Sequence, residues 1–423
     1  MKIHIKNARI LTMEEPLTVI QGDIFIKDDR IVYIGDPQGY NETEHIDSVI
    51  DAEGNLIMPG FKNAHAHCPM TFARSLADDL PLEKWLNNVI FKLESKLTPE
   101  HVYWFTQLAY MEYLSSGITA AFDMYYEPDA IIDASLEFGF RTVLCGAINS
   151  FKESVELLES YYNKYNSVND LISYQLGFHA IYTTDLSMME DISKLAHKYQ
   201  ASVHVHNSET RHEVEECISK YGKTPTELLD SLGIYDFGGS GFHSTFLSEH
   251  DMEIFKNRNV YAVINACSNA KLSSGIAPVQ TYMQQGLNLA MGTDGASSNN
   301  ALDMFREMYL VSMLQKLTTN DPGSGEPGKI LAMATTGGAH AMGLYDCDVL
   351  AVGKKADLIM IDLKKPCMRP IHDIVRNLVY SGNKSIIKMT MINGKILYQD
   401  GKYTSVDTKR ILKNVDRMVA TLC

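Results

Sequence analysis

His65 and His67 stand two residues apart in the run Pro59-Gly60-Phe61-Lys62-Asn63-Ala64-His65-Ala66-His67, just after the apolar, strand-like Leu56-Ile57-Met58. On an extended chain, residues i and i+2 face the same way, so both imidazoles can reach one metal ion. A lone His-x-His is equally compatible with two ordinary polar residues, and the rest of the chain has to decide. Further groups that bind metals or move protons close other β-rich runs: His206-Asn207-Ser208-Glu209, then His243, then Asp294. Three histidines and an aspartate form a ligand set for a divalent ion, and the remaining histidine and glutamate are acid/base groups for a water bound to it. No thiolate is needed. His204 shares a face with His206 but lies deeper along the same run, where a core histidine is expected. His101, His197, His212 and His250 sit in polar helical runs and are expected at the surface.

These groups span more than 200 positions of the chain, from His65 to Asp294, so the scaffold must gather the ends of distant segments. From residue 58 to about 345, apolar runs of strand length alternate with helical stretches. Thr98-Pro99-Glu100 opens a helix, with threonine as cap and proline at the first position, and Gly117 ends it. Counting from the His65/His67 strand, runs ending near Met124, Gly146, His179, His206, His243, Ile264 and Gly292 complete eight β/α units, which predicts a (β/α)8 barrel. In such barrels the chemistry sits at the C-terminal ends of the strands, where these polar groups fall. A doubly wound open sheet is the alternative, but no Gly-x-Gly-x-x-Gly follows any strand. Residues 1–57 and 346–423 read as short strands and turns, including an Asn393-Gly394 hairpin, and are expected to pair into one flanking β-sandwich built from both chain ends.

Composition narrows the class of function. A net charge of −14 over 423 residues argues against nucleic acid and anionic membrane surfaces as partners, and says little about a small-molecule substrate, for which the local charge of the site decides. No apolar run reaches the ~20 residues of a membrane span, and the N-terminus carries no apolar signal core. Seven scattered cysteines without a Cys-x-x-Cys read as reduced thiols, which suits a cytoplasmic protein. Cys68, next to the histidine pair, is expected to pack rather than ligate.

Taken together, the segments from Pro59 to Thr71, Trp85 to Glu94, His206 to Thr210, His243, Ser268 to Val279 and Gly292 to Asn300 resemble the amidohydrolase superfamily. The likeness is to its deaminase branch, which includes the 5'-methylthioadenosine/S-adenosylhomocysteine deaminases, with the triazine hydrolases as more distant relatives. The resemblance implies that His65, His67, His206 and Asp294 bind one divalent metal ion, zinc in the first place, with iron or manganese also compatible with such ligands. It implies Glu209 as proton shuttle and His243 as contact to the hydroxide or the leaving group. His179 and Ser298 would touch a purine-like ring, Trp85 would pack on the substrate, and Glu94 would accept hydrogen bonds from ribose hydroxyls. By analogy with such barrels, a homo-oligomer is expected.

The activity so implied is hydrolytic deamination of an adenine nucleoside of the adenosine, 5'-methylthioadenosine or 5'-deoxyadenosine type. The alternative is an aminohydrolase or halohydrolase acting on another nitrogen heterocycle. A non-catalytic member would be expected to have a broken ligand set, and this one is complete. Two departures bear on the substrate. Leu144 to Lys152 holds no arginine to grip an amino-acid carboxylate, and Ile264-Asn265-Ala266-Cys267 stands where His-Asn-Pro is more usual.

Overall fold

In a computed structural model, which describes residues 1–40, 45–76 and 78–422, two sheets share the chain. The first five strands are β1 (Lys2–Leu11), β2 (Val19–Lys27), β3 (Arg30–Gly35), β4 (Ser48–Asp51) and β5 (Leu56–Pro59). Next come the eight barrel strands: β6 (Phe61–Ala66), β7 (Ile118–Met124), β8 (Arg141–Cys145), β9 (Ile172–Ala180), β10 (Val203–Asn207), β11 (Gly239–His243), β12 (Val260–Ile264) and β13 (Asn288–Met291). Four strands close the chain: β14 (Leu358–Ile361), β15 (Ile387–Ile392), β16 (Lys395–Gln399) and β17 (Lys402–Tyr403).

Strands β6 to β13 pair in chain order, and every pairing between them is parallel. They are buried almost throughout, as expected of a parallel sheet covered by helices. The ring closes between β6 and the end of β13. There the Asp294 N–H donates to the His65 carbonyl at 2.9 Å, and the Thr293 N–H donates to Asn63 Oδ1 at 2.8 Å. Gly292 permits this approach, because a Cβ there would lie 2.6 Å from the His65 nitrogen. Closure thus sets His65 beside Asp294, and the fold is the (β/α)8 barrel with a flanking sandwich.

The second sheet joins both ends of the chain. Its order is β17-β16-β15-β14-β5-β1-β2-β3, with β4 also on β1, over a separate core that includes Ile5, Ile10, Ile57, Leu358 and Met391. The runs Ile3–Ile5 and Ala8–Leu11 form one strand, interrupted by a bulge with Asn7 at φ 57°. Asn393 and Gly394 make the hairpin turn with φ of 49° and 70°, the positive pair that a two-residue hairpin of this twist requires.

Two local features differ from expectation or add to it. His101 is buried, not exposed: its ring accepts from the Thr98 N–H at 3.2 Å to complete the cap of the Pro99–Ser115 helix, and its other nitrogen meets Thr421 Oγ1 at 2.7 Å. A partner 320 positions away leaves no local trace in a polar run. The stretch from Leu82 to Glu94 is an α-turn, a π-helical turn over Leu86–Ile90 and a second α-turn. Cys423 lies outside the described residues. Among those described, no helix is long and apolar enough to cross a membrane.

Candidate active site

The C-terminal ends of six barrel strands converge on one cavity. β6 and the residue after it supply His65 and His67, β9 supplies His179, and β10 supplies His206 with Glu209 three residues on. β11 ends at His243, and Asp294 follows β13. Tyr125 follows β7. The cavity wall includes His67, Trp85, Glu94, Tyr125, His179, His206, Glu209, His243 and Asp294. Of the residues expected at the site, His65 lies behind this wall, stacked on Phe242 at 4.0 Å between ring centres, and Ser298 lies behind Asp294.

Two overlapping groups of ligand atoms lie within 4.8 Å of one another: those of His65, His67 and Asp294, and those of His65, His206 and His243. Asp294 Oδ1 is 3.5 Å from His65 Nε2 and 3.3 Å from His67 Nε2. The far sides of two rings are tied down. His67 Nδ1 donates to the Met124 carbonyl at 2.6 Å, and His206 Nδ1 donates to the His179 carbonyl, also at 2.6 Å. A carbonyl can only accept, so each Nδ1 carries a proton and Nε2 is the nitrogen left to ligate. Burial lowers His67, but the Asp294 carboxylate outweighs it and raises its pKa above the ordinary value. His65 is completely buried, yet neither of its ring nitrogens has a hydrogen-bond partner. Burial above all, with His67 and His243 adding to it against the pull of Asp294, takes its pKa down to about 3, so it is a neutral imidazole. An orphaned neutral imidazole among two like rings and a carboxylate fits a divalent cation in its donor chemistry.

Residues to which the sequence assigned no such role hold these groups in place. Asp294 Oδ2 accepts from Ser268 Oγ at 2.6 Å and Ser298 Oγ at 2.7 Å. Burial pushes the Asp294 carboxyl up, but His65 and His67 outweigh it and hold it well below the ordinary range. His243 Nδ1 bonds Asn269 Oδ1 at 2.7 Å, and Asn269 in turn donates to Thr245 Oγ1. Ser268 and Asn269 both ride on the short Ala266–Lys271 helix after β12, so the loop with the unusual Ile264 to Cys267 sequence braces the site from behind. Glu209 accepts from Ser274 Oγ at 2.9 Å and lies 3.8 Å from His243 Nε2. Burial is the largest influence on Glu209 and raises its carboxyl. Glu213 grips the turn below: its two oxygens accept from the Ser208 and Glu209 N–H groups at 3.2 and 2.7 Å. His243 and Asp294 hold φ of 69° and 61°, a left-handed backbone that non-glycine residues adopt at a cost and that clusters at functional positions.

The cavity measures about 50 Å³, room for a few waters. Leu82, Leu86, Phe91, Tyr182 and Leu272 line both it and a wider groove of about 510 Å³. These five side chains partition an inner chamber from an outer one. No lysine or arginine lines the inner chamber among the described residues. His204 is buried with Phe122 against its ring, as a core histidine should be, while the side chains of His197, His212 and His250 are 48%, 72% and 62% exposed.

Comparison with known proteins agrees with this geometry. Residues 56–397 match the amidohydrolase family. The 5-methylthioadenosine/S-adenosylhomocysteine deaminase of Thermoanaerobacter pseudethanolicus is 37% identical, over 100% of this chain and 99% of its own. The 5'-deoxyadenosine deaminase of Methanobrevibacter smithii is 38% identical, over 99% and 98%. Among solved structures, a zinc-bound adenosine deaminase from Xanthomonas campestris superposes with a TM-score of 0.94 at 29% identity, covering 99% of this chain and 98% of its own. A triazine hydrolase variant superposes at 0.91 over 99% of each chain with 20% identity, a likeness of fold. On the match to residues 56–397 and on identity above one third across its whole length, the chain belongs to the amidohydrolase family.

Proposed function

We propose that the protein is a zinc-dependent aminohydrolase that removes the ring amino group of an adenine nucleoside, giving the inosine analogue and ammonia. The observation that carries this reading is one cavity in which a His/Asp ligand cluster, a buried glutamate and a set of aromatic and polar side chains meet. Deaminases of adenosine-type nucleosides among the relatives support it.

His65, His67, His206 and Asp294 would hold the ion, which supplies Lewis acidity and lowers the pKa of a bound water to ~7. Each side chain then has a task its surroundings suit. Asp294 stays a carboxylate against two serine donors, able to take a proton at Oδ1. Glu209, raised by burial, carries a proton to the ring nitrogen beside the carbon under attack, so negative charge does not build on the ring. Glu209 draws that proton from the attacking water, and the water's second proton, taken by Asp294, is relayed to the departing amine, so ammonia leaves as the ring carbonyl forms. His243, held through Nδ1 by Asn269, aims Nε2 at the same region as Glu209.

His179 is neutral because burial takes its pKa down to about 3. Its Nδ1 faces Thr183 Oγ1, and Thr183 itself donates to the Ala180 carbonyl, so His179 offers Nε2 to the cavity as an acceptor. Trp85 and Glu94 stand on the far wall segment, placed for the base and the sugar. Ser298 acts through Asp294, since its hydroxyl is bonded there.

The inner chamber is too small for a nucleoside, so the Leu82–Glu94 partition has to give way on entry. With no cationic side chain in that chamber, small neutral 5' substituents fit better than an amino-acid carboxylate. The test is ammonia release by the zinc-loaded protein from adenosine, 5'-methylthioadenosine, 5'-deoxyadenosine, S-adenosylhomocysteine, guanine and an aminotriazine. Turnover of the first three with S-adenosylhomocysteine weak is the expected result. Turnover of the aminotriazine alone would move the substrate to another heterocycle.

A further inference from the structure

Two buried donors on the chamber wall make no hydrogen bond of ordinary geometry, and the Tyr125 hydroxyl has the Glu94 carboxylate beside it. Trp85 and Tyr125 are 5% and 6% exposed, and neither Trp85 Nε1 nor the Tyr125 hydroxyl has a hydrogen-bond partner. Both side chains line the same chamber as Glu94 and His179. A buried donor left unpaired is costly, and native proteins rarely keep one without a reason. Trp85 sits on the Leu82–Trp85 turn of the partition, whereas Tyr125 is anchored to the barrel. It follows directly on Met124, whose carbonyl accepts from His67 Nδ1, and its ring lies 6.4 Å from the His67 ring. Burial, and then the Glu94 carboxylate beside it, raise the Tyr125 phenol well above its ordinary value, so the hydroxyl remains protonated and able to donate.

An unpaired phenol donor beside a carboxylate acceptor makes a complementary pair. A lone carboxylate satisfies the protons of a vicinal diol but leaves its oxygens without a donor. A carboxylate and a phenol together can satisfy both, because each sugar hydroxyl donates once and accepts as well. We propose that Tyr125 is a specificity-determining residue for the sugar of the substrate: its hydroxyl donates to one oxygen of the 2',3'-diol while the diol donates to the Glu94 carboxylate. This rests on the adenine-nucleoside reading and deepens it, because it adds to the ribose edge a donor that the Glu94 carboxylate cannot supply. Sites built to hydrogen-bond a substrate hydroxyl discriminate strongly against analogues that lack it, since their own polar groups are then left unpaired.

The experiment compares adenosine, 2'-deoxyadenosine, 3'-deoxyadenosine and 2',3'-dideoxyadenosine on the zinc-loaded wild type and on Tyr125→Phe. The wild type should prefer adenosine over the dideoxy compound by about 100-fold or more in kcat/KM. Tyr125→Phe should lower kcat/KM for adenosine by about 10-fold, mostly through KM, and change the dideoxy compound by less than about 3-fold. Of the two monodeoxy substrates, the one insensitive to the substitution lacks the hydroxyl that Tyr125 contacts. The melting temperature should stay level or rise, because the substitution removes an orphaned hydroxyl. A lower melting temperature together with an equal loss on all four nucleosides would mean a structural role and would overturn the proposal, as would an unchanged preference for adenosine. Should no nucleoside be deaminated, the substrate reading itself falls. Calorimetric Kd values for adenosine and dideoxyadenosine on both proteins then decide the clamp separately.

Discussion

The two ends of the barrel treat buried polar groups in opposite ways. At the end facing the small sheet, Lys62, Arg141 and Asp357 are 0%, 3% and 1% exposed, and each is paired. Lys62 Nζ donates to Thr119 Oγ1 at 2.7 Å. Arg141 spans both Asp357 oxygens, with Nε to Oδ2 at 2.7 Å and Nη2 to Oδ1 at 3.1 Å. The Asn393 N–H adds a third bond to Asp357, tying barrel to sheet. At the other end, His65, Trp85 and Tyr125 are as deeply buried and have polar atoms with no partner. A scaffold has to satisfy its polar groups from within, while a site that binds holds some of them for what it binds. Among these six residues, equal burial goes with full pairing in the scaffold at one end and with unpaired polar atoms beside the cavity at the other.

If that contrast is right, damage to the two ends should separate activity from stability. Glu209→Gln keeps the shape and removes the proton carrier, so kcat should fall about 10²–10⁴-fold while thermal unfolding is unchanged. Activity within a few-fold of wild type would remove Glu209 from the proton path.

Arg141→Met should do the reverse. It leaves Asp357 buried without its counter-charge and should cost about 3–5 kcal/mol in denaturant unfolding, with kcat/KM of the folded fraction retained. Its pH dependence has a sign. Burial raises the Asp357 carboxyl, but Arg141 outweighs it and holds it below the ordinary value. A depressed carboxyl contributes stability that is present above the unfolded pKa of about 3.9 and is lost as pH falls through the folded value. The gap between wild type and Arg141→Met should accordingly narrow below about pH 4, and a constant gap would show that the ion pair is not its source.

The smallest effect tests the hydroxyls behind the metal cluster. Ser268→Ala leaves Asp294 with Ser298 as its remaining hydroxyl donor at Oδ2. Zinc affinity, read by competition with a chelator, should fall about 10-fold, with about 1 kcal/mol lost in stability. A loss of stability without a change in zinc affinity would place Ser268 with the scaffold instead.

How much of this was legible differs by kind of residue. The barrel strands could be read because they are apolar, short and regularly spaced, and the groups at their ends because histidine and aspartate are conspicuous there. Ser268, Asn269, Glu213 and Tyr125 could not. A serine or tyrosine in a loop has no characteristic spacing, and which hydroxyl meets Asp294 is settled by the loops after β12 and β13 lying side by side. Glu213 gave one faint signal, a glutamate three residues into a Thr210-capped helix, the usual place for a carboxylate that reaches back to the preceding turn. Ser298 was expected to touch a purine-like ring; that its hydroxyl is bonded to Asp294 Oδ2 is a detail no pattern encodes.

By itself the sequence determined the chemistry on offer: imidazoles and two carboxylates, each at or just past the end of an apolar run whose length suits a buried strand. Only the tertiary structure decided what those groups face. Barrel closure at Gly292 sets Asp294 against His65, the loop after β12 orients His243 and Asp294, and the turn over Leu86–Ile90 walls the chamber. Hydrogen bonds act over about 3 Å and depend on direction, so they are fixed only when segments remote in the chain are brought to rest beside one another.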